Sequence, residues 1–255
     1  QIAKYSPMEG HRCEGEEQCG MHINCCNANG PRAFALIPDF AVKKMGNEVY
    51  VNYYGDMSAS LENGHNKVLV KQHTTYPVSN VIDITIDVTK ENVFGLHLRV
   101  PVWSAQTVIT LNGEELKDIC PGTYHAITRK WKKGDHIQII LDMPARLLEQ
   151  NQMQAIVRGP IVLARDSRFN DGFVDETLVV DSEDGIVKAE VDSVPGFAWM
   201  RLKVPVTVGT DLEGVGMYRN ISFCDFASAG NTWDKQVRYR VWIPRTLDVK
   251  KGHLK

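Results

Sequence analysis

Several features are missing from this sequence, and each absence removes a class of function. No apolar run approaches the roughly 20 residues that a membrane-spanning helix needs, so no membrane partner is expected. There is no basic block either, with 29 Lys and Arg against 31 Asp and Glu. Nucleic-acid binding driven by phosphate neutralisation is therefore not expected. No phosphate-binding glycine loop, dinucleotide fingerprint or Ser-His-Asp order occurs, which leaves nucleotide chemistry and serine hydrolysis without their usual residues. Internal repeats and low-complexity tracts are lacking. The amino terminus, Gln1-Ile2-Ala3-Lys4, has neither an initiator methionine nor the apolar core of a leader, and is expected to belong to a fragment or a processed chain. Cysteine is scarce: of six in 255 residues, four crowd into the first 26. That distribution does not make a disulfide scaffold, and the thiols are read as mostly reduced.

The crowding itself is the strongest chemical signal. Cys25 and Cys26 are adjacent and can hardly bond to each other without straining the disulfide. They could share one metal, supply a nucleophile beside a metal, or simply be small buried hydrophobes. Glu17-Gln18-Cys19 puts a carboxylate and a thiol two residues apart, and Cys13 lies nearby. Glu17, Cys19, Cys25 and Cys26 thus place four candidate zinc ligands within ten residues, a donor set that zinc accepts. His22, three residues before the pair, is the candidate substrate-binding residue of this stretch. After it comes a helix-start signal. Asn29 or Gly30 can serve as N-cap and Pro31 as first helical residue, where its missing N–H costs nothing. The partial positive charge of a helix start favours a thiolate in front of it.

A helix is predicted over 31–45, with Pro38 ending or kinking it early and Gly46-Asn47 closing it. From Glu48 onward the pattern is β. Glu48–Tyr54, Asp56–Glu62, Lys67–Thr74, Val81–Val88, Phe94–Val102, Thr107–Leu111, Tyr124–Trp131 and His136–Leu141 alternate or are rich in β-branched and aromatic residues. Turn signals such as Asn63-Gly64, Asn112-Gly113 and Lys133-Gly134-Asp135 separate them. Such short strands at regular spacing predict an antiparallel sandwich. Ala155–Ala164 crosses a Gly-Pro break, and Asp166–Asp184 reads as an acidic linker or module edge. Ile186–Val191, Ala198–Val208, Asn220–Phe226 and Gln236–Ile243 then form a second, less regular sandwich.

The expected fold is mainly β: two antiparallel, jelly-roll-like β-sandwich domains preceded by a Cys-rich loop and one helix. The boundaries fall at 1–46, 47–165 and 166–255. Trp103, Trp131, Trp199, Trp233 and Trp242 could stack on sugar rings, but core packing is favoured for Trp131 and Trp242. His73, His97, His125 and His136 lie in strands and read as cross-strand surface residues rather than ligands.

Taken together, the order of motifs is familiar. It runs from the Cys-Cys pair and a helix through Glu48-Val49-Tyr50-Val51-Asn52-Tyr53-Tyr54 to Leu96-His97-Leu98-Arg99-Val100-Pro101-Val102-Trp103. Leu111-Asn112-Gly113, Arg129 and Trp131 with Gly134-Asp135, and Val157-Arg158-Gly159-Pro160-Ile161-Val162 complete it. The chain resembles the C-terminal part of the β-L-arabinofuranosidase family of glycoside hydrolases (family 127) and its bacterial relatives. The resemblance covers nearly all of the chain up to about Ala164 and, loosely, the rest.

The resemblance implies an (α/α)6 barrel carrying the active site, followed by β-sandwich domains, so the helix would be the tail of that barrel. It implies that Cys25 is the nucleophile and that Cys25 and Cys26 ligate zinc. Glu17-Gln18-Cys19 has the Glu-x-Cys spacing of the family's other two ligands, which lie further upstream in its members. An oligosaccharide or plant glycan is the implied substrate and a bacterium the implied source, with the location, cytoplasmic or periplasmic, left open. A self-contained carbohydrate-binding or structural pair of sandwiches is the competing expectation.

Overall fold

The computed structural model describes residues 25–63, 65–192, 196–210, 216–232, 234, 236–245, 247–248 and 253–254. For 25–29, 209–210, 247–248 and 253–254 it describes the backbone. Two compact units emerge, one spanning Cys25–Met143 and one built from Pro144 onward.

The first unit opens with the helix α1 (Cys25–Ala41), followed by the strands β1 (Val42–Met45) and β2 (Glu48–Val51). The hairpin β3 (Met57–Asn63) and β4 (Asn66–His73), then β5 (Val81–Val88) and β6 (Asn92–Arg99), come next. The unit ends with β7 (Val108–Leu111), β8 (Glu114–Glu115), β9 (Tyr124–Trp131) and β10 (Asp135–Ile140). These strands form a four-stranded sheet in the order β1-β2-β6-β9 and a six-stranded sheet in the order β3-β4-β5-β10-β7-β8.

Alternation explains why these strands have one wet and one dry face. In β5, Ile82, Ile84, Ile86 and Val88 are buried while Val81, Asp83, Thr85 and Asp87 alternate with them in half-exposed positions. Side chains from both sheets meet in one hydrocarbon core, with Val49, Val51, Leu96 and Leu98 on one side and Ile82, Ile84, Ile86 and Ile137 on the other. Full burial of such a side chain contributes about 1.5–3 kcal/mol. Trp131 is fully buried, stacks on Phe94 at 5.5 Å between ring centroids and donates its indole N–H to the Phe94 carbonyl at 3.0 Å. That meets the expectation of a packing role for this tryptophan.

The expected mainly β, sandwich architecture holds, with two local differences. Strand β1 lies where the helix was predicted to continue, because Val42 and Lys44 pair with Val51 and Val49. Strand β2 runs parallel to β6, Glu48 opposite Gly95 and Tyr50 opposite His97. A parallel pair needs a crossover, and here the connection runs through β3, β4 and β5 of the other sheet.

The second unit contains β11 (Ala145–Gln150), β12 (Met153–Arg158), β13 (Ile161–Asp166), β14 (Leu178–Val180), β15 (Ser182–Glu183), β16 (Ile186–Val187) and β17 (Glu190–Asp192). It continues with β18 (Arg201–Thr210), β19 (Gly216–Asp225), β20 (Tyr239–Arg240), β21 (Ile243–Pro244), β22 (Leu247–Asp248) and β23 (His253–Leu254). One sheet path runs β14-β18-β19-β13-β12-β11-β16-β15, with β17 on β18, β20 on β13 and β21 on β12. The strand predicted at Ala155–Ala164 is split at Gly159-Pro160 into β12 and β13. Both halves pair within this second sheet, Ala164 opposite Cys224.

The interior of this unit buries more charge, with Arg165, Asp166 and Asp225 against Asp135 in the first unit. Asp166 is buried and receives a fork of hydrogen bonds from Arg168, at 2.8 Å from Nε and 2.6 Å from Nη2, plus the Gly230 N–H at 2.8 Å. Burial pushes the Asp166 pKa up, but these donors outweigh it and hold the carboxyl below its ordinary range. Asp225 accepts from the Trp199, Met200 and Ser228 N–H groups at 2.9–3.0 Å.

Candidate functional site

Of the residues singled out from the sequence, Glu17, Cys19 and His22 lie outside the described residues. Cys25 and Cys26 are the first two residues of α1, described by their backbone. The helix therefore starts six residues before the predicted Pro31, and Asn29 and Gly30 are helical rather than capping. Pro31 and Pro38 both sit inside it. Each lacks the N–H that would bond the carbonyl four residues earlier, those of Asn27 and Phe34. The Cys-Cys pair is thus carried on α1 itself rather than in a loop ahead of it.

Residues 31–40 of the helix are exposed throughout, and the exposed set includes Phe34, Leu36, Ile37 and Phe40. Phe34 is 73% exposed, and Phe40 is half exposed with Lys43 Nζ 5.0 Å over its ring. The helix is instead held at its C-terminal end. Asn52 donates its side-chain amide to the Phe40 carbonyl at 2.8 Å and its backbone N–H to the Ala41 carbonyl at 2.8 Å. Tyr124 in turn donates its hydroxyl to the Asn52 side-chain oxygen at 2.6 Å.

That anchor is continuous with a polar and aromatic patch on the outer face of the four-stranded sheet. Tyr50 stacks on His97 with centroids 4.3 Å apart and planes 11° from parallel, and Tyr124 meets Tyr50 edge-on at 5.5 Å. Glu48 Oε2 lies 2.8 Å from His97 Nε2. Glu48 can lie over β6 because its neighbour there is Gly95, where an added Cβ would come within 1.7 Å of Glu48 Oε2. This patch fixes the Glu48 carboxylate, the His97 ring and the Asn52 amide relative to the end of the cysteine-bearing helix. Its members were individually visible as the outward positions Glu48, Tyr50 and Asn52. Their partners across the sheet depend on the parallel pairing, which leaves no local signal.

Each of three other strand histidines also lies in a polar setting. His73 and His136 pair with Asp56 and Asp83 at 3.1 Å, and burial lowers the pKa of His125. Among the described residues, no group of three or more His, Cys, Asp or Glu side chains could hold a metal ion. Cys224 is buried, and that burial, aided by the charges of Asp166 and Asp225, pushes its thiol up to about 12. It is no nucleophile at neutral pH. Trp103 packs against the first core, Trp199 is exposed, and Trp242 is partly exposed and lies outside the buried core. Trp233 lies outside the described residues.

Comparisons with known proteins bear on this arrangement. Residues 48–143 match the family model described as "Beta-L-arabinofuranosidase, GH127 middle domain". Curated proteins yield no match to the chain. Among solved structures, the chain is similar to a GH127 β-L-arabinofuranosidase from Geobacillus stearothermophilus T6, with TM-score 0.77 and 18% identity, over 96% of this chain and 42% of that one. A structure titled as a GH127 β-arabinofuranosidase aligns with TM-score 0.71 and 22% identity, over 87% of this chain and 38% of that one. A third, titled glycoside hydrolase, gives 0.74 and 22%, over 96% and 44%. The chain spans about two fifths of the length of these structures, and at such identities the likeness is one of fold. The outward face that holds Glu48, Tyr50 and His97, and the core beneath it, therefore lie within the residues that match the GH127 middle-domain model, and the chain has the fold of the corresponding part of GH127 structures.

Proposed function

We propose that this chain is the C-terminal part of a bacterial glycoside hydrolase that retains anomeric configuration and acts on L-arabinofuranosides or related plant glycans. The observation that carries the reading is the place of Cys25 and Cys26 on α1, directly ahead of the β unit whose residues 48–143 match the GH127 middle-domain model. The exposed apolar side chains of α1 fit a helix that ends an α-helical barrel formed by preceding sequence.

Cys25 is the proposed nucleophile. Its sulfur attacks the anomeric carbon, an S–C bond forms and the glycosidic C–O bond breaks, while a carboxylic acid of the barrel protonates the leaving oxygen. Water then attacks the same carbon, the S–C bond breaks and the sulfur leaves as thiolate, the conjugate carboxylate taking the proton of the water. His22 lies three residues before the pair and is assigned to binding the sugar. The donor set Glu17, Cys19, Cys25 and Cys26 suits zinc in type and number, and these residues would hold it. Bound there, zinc supplies the charge that keeps the thiols deprotonated at neutral pH.

The test is hydrolysis of an aryl β-L-arabinofuranoside by protein made from the complete reading frame around residues 1–255, and by its Cys25→Ala variant. Loss of turnover to background in the variant is expected, with residues 1–255 alone also at background. Full turnover by Cys25→Ala, or by residues 1–255 alone, would overturn the assignment. The competing reading, a sandwich pair that only binds or supports, requires residues 1–45 to be dispensable for every activity of the protein.

A further inference from the structure

A cleft of about 400 Å³ lies within the second unit. It sits at a seam. Asp181 alone separates β14 from β15, the two ends of the sheet path, so both ends border the same opening. The floor is a row across the sheet: Val179 is opposite Thr207, and Thr207 is opposite Tyr218. Their neighbours Leu178, Val180, Val206 and Val208 point the other way and are buried, so the row of Val179, Thr207 and Tyr218 belongs to the outer face. Glu149 of β11 and Arg245 complete the lining.

Two features here call for a ligand rather than for packing. The Tyr218 ring is 78% exposed on the floor of a concavity, a costly place for an aromatic side chain with nothing on its face. Arg245 places Nη1 2.9 Å from Glu149 Oε1, but its Nε is buried and has no hydrogen-bond partner. A buried donor left unpaired costs about 1–3 kcal/mol, so among the described residues the Glu149 contact does not fully satisfy this guanidinium.

The lining also selects the chemistry. Glu149 and Asp181 set two carboxylates against the one guanidinium of Arg245, a balance that disfavours an anion. An exposed aromatic face beside a paired donor and acceptor suits a ring with an apolar C–H face and adjacent hydroxyls. The volume is near the lower end of ligand sites, enough for about one or two sugar rings.

We propose that this seam binds a neutral oligosaccharide, with Tyr218 stacking on a sugar ring while Arg245 and Glu149 hydrogen-bond to neighbouring hydroxyls. The site is made by the second unit alone, and the inference does not rest on Cys25 or on zinc.

The experiment is calorimetric titration of residues 1–255, as wild type, Tyr218→Ala, Arg245→Met and Cys25→Ala, with three probes. These are α-1,5-arabinotriose, xylotriose and trigalacturonate. Saturable binding of at least one neutral triose is expected, weakened at least tenfold by Tyr218→Ala and by Arg245→Met and unchanged by Cys25→Ala. Tyr218 is on the surface, so its variant keeps the fold, and circular dichroism verifies this. The proposal is overturned if neither neutral triose binds, if trigalacturonate binds more tightly than both, or if Tyr218→Ala leaves the affinity unchanged. Loss of binding in Cys25→Ala alone would overturn it too, by moving the sugar to the cysteine stretch.

Discussion

The two units of this chain reach a folded β structure by different means. Residues 25–143 bury one ionisable side chain, Asp135, beside a core fed by Val, Ile and Leu from two sheets, with Asn63, Gln72, Ser104 and Thr107 as their other buried polar residues. From Pro144 onward, Gln154, Arg165, Asp166, Asp225 and Ser228 are buried among the apolar side chains. Gln154 illustrates the second strategy: its amide donates to the Leu178 carbonyl and accepts from the Val180 N–H, standing in for a strand partner. Arg165 goes further, with a side chain 1% exposed and all three guanidinium nitrogens without hydrogen-bond partners, 3.8 Å from Glu176 and 4.0 Å from Asp171. Buried charges cost free energy unless paired, so the second unit, with Arg165, Asp166 and Asp225 buried, relies more on charge placement than the first.

The largest effect expected is Trp131→Ala. It removes the biggest buried side chain of the first core, its stack on Phe94 and its bond to the Phe94 carbonyl. Such truncations cost about 3–5 kcal/mol. Hydrogen exchange on the whole chain should show protection lost through residues 48–143 and largely kept from Pro144 onward. Equal loss in both would mean that the two units are not separate in stability.

Acid should separate the units in the opposite sense. The folded pKa of Asp166 is depressed, so the stability that its carboxylate contributes is fully present above the ordinary carboxylate range and is lost as pH falls through the folded value. Protection from Pro144 onward should therefore decline on acidification below about pH 4. Asp166→Asn should lower stability at pH 7 and flatten that acid response. An unchanged slope in the variant would show that the Arg168–Asp166 fork is not the acid-sensitive element.

A smaller change tests the anchor of α1. Asn52→Ala deletes the donor to the Phe40 carbonyl and the acceptor for Tyr124. A loss of about 1 kcal/mol is expected for the net contribution of one such bond, with faster exchange confined to the end of α1 and to β1. Unaltered exchange there would mean that the backbone bonds to Ala41 hold the helix unaided.

How far the sequence was legible follows the same division. Strands β5 and β9 were predicted with the bounds the structure has, because period-two alternation and flanking turns both mark them. Strand β1 was read as helix, since Val42-Lys43-Lys44-Met45 carries no strand signal until Val51 and Val49 lie opposite it. The helix start was misplaced because Pro31 is a strong first-turn signal, and here it sits a turn further in. Strand β11 was overlooked, its exposed Glu149 and Gln150 reading as loop. For the site, Cys25 and Cys26 stand out by residue type alone, while the stack of Tyr50 on His97 needs β2 and β6 to be placed side by side. Long-range pairing of this kind is decided by topology and not by neighbouring residues.

The central claim is that Cys25 and Cys26 anchor zinc ahead of the first β unit, and metal content tests it most directly. Zinc is measured after exhaustive dialysis of protein made from the complete reading frame, as wild type, Cys26→Ser and Cys19→Ser. The account predicts stoichiometric zinc in the wild type and its loss in Cys26→Ser, with loss in Cys19→Ser as well if Glu17 and Cys19 close the site. Stoichiometric zinc retained in Cys26→Ser, or a wild type that binds none, would contradict it and remove the basis for thiolate catalysis at Cys25.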